Sequence, residues 1–472
     1  MERGRWWTRM GLGVALVVLV GCEEPLAVGP GKGAGELVEE APDANPAQPW
    51  DSPRGETRLV LQSHGFDDER AAAVAVDSQR NIIVLATFRH VADFGTGLLT
   101  APSPEAFNLA LVKYRWDGQP LWVKVFGTAP GFTGDAYAQS LAVDRNGDIV
   151  VAGRNLGPID FGQGLVPEGG FMVRFSPEGE PLWSRHLDVD LNLFDSGMVI
   201  DPSGNIALAG SFEGVLDFGT GPIPSANWSD GTATSAFLAK FDSLGRTLWV
   251  YVNPVPSDGF GLAVEEDGDL LLSGWEAVGH RQFGKPMVLK FNPPGRQMWA
   301  RRPETLGFFG KVAVQGGTLT ATGTFASAFQ FAGRELRPCG RGMLLAAFAN
   351  TDGHELWGES FDAEARGLGM DANGVFVTGA YSPGADLGLG PLAGAPGSPP
   401  YNVFVARYHR LTGRPQWTHG FVATGIAEVA NLATSRSGHS VIVGSFRDGT
   451  VDFGTGALVP DSRDMFLFSL TP

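Results

Sequence analysis

Cysteine is almost absent: the chain has 472 residues and two cysteines, Cys22 and Cys339. Cys22 lies in the N-terminal segment, so Cys339 has no partner in the rest of the chain and no internal disulfide is expected. Charge is sparse at 18%, and basic residues fall short of acidic ones, 35 against 51, for a net charge of -16. A basic face that would hold nucleic acid or an anionic membrane is therefore not expected. No apolar run is long enough to span a bilayer as a permanent helix. G-x-S-x-G, H-E-x-x-H, C-x-x-C and a Walker loop are all missing, and none of the eight histidines is paired at ligand spacing on one strand. No catalytic residue and no cofactor is expected, and the sequence leaves a metal unassigned.

The N-terminus does not belong to the fold. Arg3, Arg5 and Arg9 precede the short apolar stretch GLGVALVVLV at 11–20, which ends in Leu-Val-Gly-Cys. This has the form of an export signal, and its end resembles the bacterial lipobox, in which the Cys becomes lipidated and N-terminal. The alternative is an ordinary secretory signal. The expected division is a signal peptide over 1–21, lipidated Cys22 with a Pro-, Gly- and Glu-rich tether over 22–56, and a folded domain over 57–472. The expected location is the bacterial cell envelope, at the outer membrane or cell surface rather than the inner membrane.

What is abundant is glycine, 66 residues, together with 32 prolines, and both punctuate repeats. Gly-x-x-x-Trp recurs six times, with Trp122, Trp183, Trp249, Trp299, Trp357 and Trp417 spaced by 61, 66, 50, 58 and 60 residues. Asp-Phe-Gly recurs as ADFGTG (92–97), IDFGQG (159–164), LDFGTG (216–221) and VDFGTG (451–456), with weaker copies at 282–284, 329–333 and 385–390. Around each marker stand four apolar strands: SLAVD, a turn such as DRNGD, DIVVAG, the Asp-Phe-Gly loop, FMVRF, and the strand opened by Gly-x-x-x-Trp. Units of this size and order predict an all-β, seven-bladed β-propeller of four-stranded antiparallel blades. First strands are expected near 73, 140, 197, 261, 311, 367 and 430. The seventh blade lacks a fourth strand, and TRLVLQSHGF (57–66) is expected to close the ring by pairing with MFLFSL (465–470), which removes two exposed edges.

The order A-V-D-x-x-G-N-I-x-V-A-G, D-F-G, F-L-A-K-F-D, G-x-x-L-W resembles the bacterial SBBP-type repeat, a seven-bladed propeller family of exported and lipid-anchored proteins. The resemblance covers 57–472. It is weakest in the fourth and fifth units, where Glu265 and Gln315 replace the first-turn Asp. It implies shape; it does not imply a function.

Asp-Phe-Gly is also the magnesium triplet of protein kinases, but no His-Arg-Asp loop accompanies it. The expectation is structural. Asp caps backbone amides, Gly supplies positive φ, and Phe94, Phe161, Phe218 and Phe453 fill space between blades. The tryptophans are read as inter-blade packing, where losing a buried one costs about 3–5 kcal/mol; a sugar-binding surface is the alternative. Lys113, Arg174, Lys240, Lys290 and Arg407 are expected on a solvated blade face, with an anion-binding stripe as the alternative. DRNGD at 144–148 is too poor in carboxylates for an EF-hand.

Acidic residues precede most first strands: Asp67 and Asp68, Asp135, Asp195, Asp258, Glu364 and Glu428. They are expected either to ring one channel mouth and meet a cation or cationic group, or to cap the crossover loops. The functional expectation is a non-enzymatic, monomeric platform held to the membrane by its lipid and binding a protein or glycan, with no nucleic acid. Alternatives are a glycan lyase or hydrolase at the channel mouth and a quinoprotein-like redox protein; the latter lacks the vicinal cysteines many such enzymes carry.

Overall fold

The computed structural model describes residues 55–187, 191–192, 197–227, 233–278, 284–340, 342–394, 401–435 and 437–471. The signal segment, Cys22 and the tether up to residue 54 lie outside them, as do Asp195 and part of the 282–284 copy of Asp-Phe-Gly.

One repeat shows how the others are built. Strands Ala136–Val143, Ile149–Asn155, Gly169–Phe175 and Pro181–Leu187 pair antiparallel in chain order, with tight turns after the first and third and the Asp-Phe-Gly loop after the second. The same order recurs in sheets that open with Arg70–Val76, Met198–Ile200, Ser257–Val264, Gly307–Gln315 and Ala363–Met370. A last sheet combines Ile426–Thr434, Ser440–Arg447 and Arg463–Leu470 with Thr57–Gln62 from the N-terminal side. The first strand of each sheet touches the first strands of both neighbours, and Ile426–Thr434 touches Arg70–Val76. Sheets standing radially around their first strands make a β-propeller. Among the described residues the chain is all-β, with no helix.

The glycine late in most second strands, such as Gly153, Gly274 and Gly379, has a steric cause. The first strand shifts register opposite that glycine, between Gly259 and Gly261 and again between Ala365 and Gly367. A Cβ at Gly274 would sit 1.9 Å from the Asp258 carbonyl, and one at Gly379 1.8 Å from that of Glu364. Glycine lets the bulged first strand close in, and the bulge bends it around the axis.

The core lies between sheets rather than within one. Buried clusters join the first and second sheets through Ile83, Leu109, Val151 and Phe171, and the sixth and seventh through Phe376, Val405, Ile442 and Phe468. Second and third strands such as Ile82–Phe88 and Asn108–Tyr114 are buried on both faces. One sequence expectation changes here. The folded unit begins two residues earlier than expected: Glu56 N–H donates to Thr471 Oγ1 at 3.0 Å, and Thr471 N–H to the Glu56 carbonyl at 2.9 Å.

Strand Thr57–Gln62 runs along Arg463–Leu470, from Thr57 opposite Leu470 to Gln62 opposite Phe466. A chain starting at Asp67 is therefore expected to melt well below one starting at Gly55, because Arg463–Leu470 becomes an open edge. Calorimetry on the two chains checks this; equal melting temperatures would refute it.

Candidate functional site

Among the described residues the repeated Asp-Phe-Gly loops hold no cluster of ligands. Asp93 Oδ1 accepts the amides of Gly95 and Gly97 at 2.7 and 2.9 Å, and Asp452 Oδ1 those of Gly454 and Gly456 at 2.7 and 3.1 Å. Asp160, Asp217 and Asp386 do the same. Phe94, Phe161, Phe218 and Phe453 are buried between neighbouring sheets.

The tryptophans form a lock between sheets. Trp122 Nε1 donates to the Pro177 carbonyl, Trp183 to Ser243, Trp249 to Pro293, Trp299 to Asn350 and Trp357 to Arg410, at 2.8–3.2 Å. Each acceptor lies in the Gly-x-x-x-Trp turn of the next sheet. The glycine of that turn rests on the same ring: a Cβ on Gly179, Gly245, Gly295, Gly353 or Gly413 would come within 2.5–3.1 Å of the preceding tryptophan. All five have positive φ. The marker is thus two halves of two contacts, Gly facing back and Trp facing forward.

The basic residues of the third strands are not on a solvated face, nor do they form an anion-binding stripe. Lys113, Arg174, Lys240, Lys290 and Arg407 are 2–6% exposed, because both faces of a propeller blade pack against neighbours. Each pairs with the first turn of its own sheet: Lys113 with Asp77 at 3.0 Å, Lys240 with Asp201 at 2.8 Å, Lys290 with Glu265 and Asp269, and Arg407 with Asp371. Arg174 reaches both Asp144 and Asp148. Four of them also donate to the carbonyl their sheet's tryptophan uses: Pro177, Ser243, Pro293 and Asn350. In the fifth sheet the acid is Gln315 and the base position is Ala347, opposite Trp357. There Arg410 of the next sheet reaches back to the carbonyls of Gln315 and Gly316.

The six acidic mouth candidates do not share one slot. Pairing places Asp258, Glu364 and Glu428 opposite Trp275, Ala380 and Ser445. The equivalent residues in the first and second sheets are Arg70 and Tyr137, so Asp68 and Asp135 lie two residues earlier. This end is also mixed in charge. Asp68 pairs with Arg70 and Arg463, Glu364 with Arg366, and Glu428 lies 3.9 Å from Arg463. Asp135 accepts from Phe107 N–H and the Tyr137 hydroxyl, which makes it a loop cap. Desolvation raises the Asp258 carboxyl against hydrogen bonds with Thr234, Ser211 and Trp275. Among the described residues no ring of mutually repelling carboxylates results.

Sequence reasoning missed Glu69, inside the Asp-Asp-Glu run at 67–69. It is 0% exposed, and neither carboxyl oxygen has a hydrogen-bond partner. Burial, then the charges of Asp464, Asp68, Asp67 and Asp461, push it up to about 9. At the opposite end of the first strands, the turns of four consecutive sheets line an open cavity of about 480 Å³. It contains Asp144, Asp201 and Glu265, which are already ion-paired, and turn backbone.

No protein-family model matches the chain. An uncharacterized WD repeat-containing protein of Acanthamoeba polyphaga mimivirus is 26% identical over 275 residues, 47% of this chain. The match spans 18% of the length of that relative. Among solved structures, BamB from Moraxella catarrhalis aligns over 89% of this chain and all of its own, at 12% identity and a TM-score of 0.42. The Dos1 propeller aligns over 88% of this chain and 95% of its own, at 10% identity and 0.45. The β-propeller domain of the trilobed protease from Pyrococcus furiosus, described as having an open velcro topology, covers 85% and 96% at 8% identity and 0.45. At these identities the likeness is one of fold and goes no further.

The buried pairs set an acid limit. Desolvation pushes the Asp201 carboxyl up, but hydrogen bonds from Lys240 and Asn205 together hold it below its ordinary value. Its contribution to stability is complete above the ordinary Asp pKa of about 4 and is lost as the pH falls through the lowered folded-state value. Asp201→Asn strands the buried Lys240 ammonium and is expected to cost about 3–5 kcal/mol at neutral pH. Urea unfolding at pH 7 and in acid checks both: the gap between the two proteins should narrow in acid. A cost below about 1 kcal/mol at pH 7 would show that the pair is dispensable.

Proposed function

We propose that the chain is an SBBP-type envelope lipoprotein whose seven sheets form a ring closed by the N-terminal strand, and that the ring is a rigid platform for a protein partner. The observation that carries this reading is the outer rim. Leu121, Leu182, Leu248 and Met298, each one residue before a lock tryptophan, are 47–56% exposed. Strand alternation turns the tryptophan onto the next sheet and this residue outward. One large apolar side chain on a surface is ordinary, but a band at one slot in consecutive sheets is a partner-contact feature. The residues whose chemistry recurs, Asp, Lys or Arg, and Trp, are engaged within the ring. That supports a scaffold over a catalyst.

A photo-crosslinking residue at position 121 or 182, introduced in the native cell, is expected to trap a discrete protein adduct, while one at Arg145 in the cavity lining is not. Adducts from Arg145 alone would move the partner to the cavity. Turnover of a glycan substrate lost on altering the cavity turns would replace the platform with an enzyme.

Anchoring is a separate part of the proposal. The lipobox ending in Cys22 supports a thioether-linked lipid, and stable attachment needs more than one acyl chain. With two cysteines in the chain, lipidation of Cys22 and a Cys22–Cys339 bridge exclude each other within one molecule. Mass spectrometry of the N-terminal peptide is expected to show an acylated Cys22, and Cys22→Ser should leave the protein unprocessed or released. A reducible Cys22–Cys339 linkage in the cell-derived protein would contradict the anchor.

A further inference from the structure

The seam where the ring closes contains two buried carboxylates that the other sheets do not place there. The slot of Glu69, one residue before Arg70, holds Ala136, Ser257, Gly307, Ala363 and Ala427 in the second, fourth, fifth, sixth and seventh sheets. The slot of Asp464, opposite Phe446, holds Asn108, Ser235 and Asn402 in the first, third and sixth. Those neutral residues cap loops: Asn108 Oδ1 accepts from Ser103 N–H, Ser235 Oγ from Ala226 N–H, and Asn402 Oδ1 from Ala423 N–H. In the fourth sheet the Asp464 slot holds Lys285, which pairs with Glu304. No other described sheet places a carboxylate at either slot, and a buried charge without compensation is costly.

The two slots are adjacent, since Glu69 N–H donates to the carbonyl of Arg463 at 2.8 Å. A Cβ on Gly65 would lie 2.0 Å from Glu69 Oε1, which sets the carboxyl beneath the backbone next to His64. One ligating atom each of His64, Asp461 and Asp464 falls within 4.8 Å of the others, with His64 Nδ1 3.5 Å from Asp461 Oδ2. Gln62 Nε2 donates to Asp464 Oδ2 at 2.6 Å and orients it. Glu69 has no hydrogen-bond donor on either oxygen. The other acidic cluster, Glu265 with Asp267 and Asp269, differs because Lys290 is bonded to both Glu265 and Asp269 and supplies the positive charge.

We propose that His64, Asp461 and Asp464 bind one divalent first-row transition ion of the zinc or manganese class across the seam of the ring, with the buried, unpartnered Glu69 carboxyl beside them supplying further negative charge. One imidazole among carboxylates favours such an ion over calcium, which takes oxygen ligands throughout. One ligand comes from the N-terminal side of the chain and two from the C-terminal side, roughly 400 residues away. The ion then fastens the closing strand and raises the stability of the ring with its concentration over its dissociation constant.

The test is calorimetric titration of the full-length protein, freed of metal by chelation, with ZnCl2, MnCl2 and CaCl2, alongside thermal melts. The expected result is one equivalent of zinc or manganese and a raised melting temperature. Asp464→Asn and Glu69→Gln should each weaken binding by more than about tenfold. Asn108 and Asn402 occupy the Asp464 slot elsewhere, so Asp464→Asn should keep its β circular dichroism and report on binding rather than folding. Asp267→Asn should leave binding intact. Absence of zinc and manganese binding, undiminished affinity in both seam variants, or an equal loss in Asp267→Asn would overturn the site. Calcium binding as tightly as zinc, unchanged by His64→Ala, would overturn the assignment to a transition ion.

Discussion

The contact between a tryptophan and the next sheet's glycine is what the rest of the ring depends on. A four-stranded sheet cannot bury its two faces alone, so each must find a neighbour at a fixed distance and angle. Here the indole supplies both. Its ring lies on a glycine whose missing Cβ permits the approach, and its N–H is tied to a carbonyl of the same turn. The buried ion pair beside it fixes the other end of that carbonyl, as with Lys240 between Asp201 and Pro293. Burying these charges is tolerable because every one has a partner.

At the seam the lock changes. Gly55 takes the glycine's place against Trp417, and Leu59, four residues on, stands in the tryptophan slot beneath Gly118. GETRL at 55–59 is therefore a seventh copy of the marker with leucine for tryptophan. Trp417 Nε1 has no acceptor among the described residues. The junction is thus weaker in hydrogen bonding than the other five locks. It is also where Glu69 and Asp464 add charge that an ion would neutralise.

Most of the architecture was legible because the repeat reports itself many times over: strand order, the capping role of Asp93 and Asp452, and the position of Thr57–Gln62 follow from comparing copies. The basic residues were misread because alternation was interpreted as for an open sheet with one wet face. In a propeller, Lys113 and Lys240 point at a neighbouring sheet. The acidic mouth failed for a related reason. Asp68 and Asp135 stand near Asp258, Glu364 and Glu428 in sequence pattern, but two residues of offset separate the slots, and the partners Arg70, Arg366 and Arg463 lie far off in the chain or on the same strand. Glu69 could have been found by the same comparison of copies, as the one acid in a column of Ala, Ser and Gly.

The central claim, that glycine against tryptophan sets the spacing of the sheets, is most directly tested by paired glycine substitutions. Gly295 and Gly204 have nearly the same backbone, φ of 90° and 83°. A Cβ at Gly295 would meet Trp249 at 2.7 Å, whereas one at Gly204 meets nothing within 4 Å. Alanine carries a similar conformational penalty of about 1–2 kcal/mol at both, so the difference between the two variants isolates the contact. Chemical denaturation of Gly295→Ala and Gly204→Ala is predicted to show a further loss of about 2 kcal/mol or more at Gly295. Equal losses at the two positions would contradict the account.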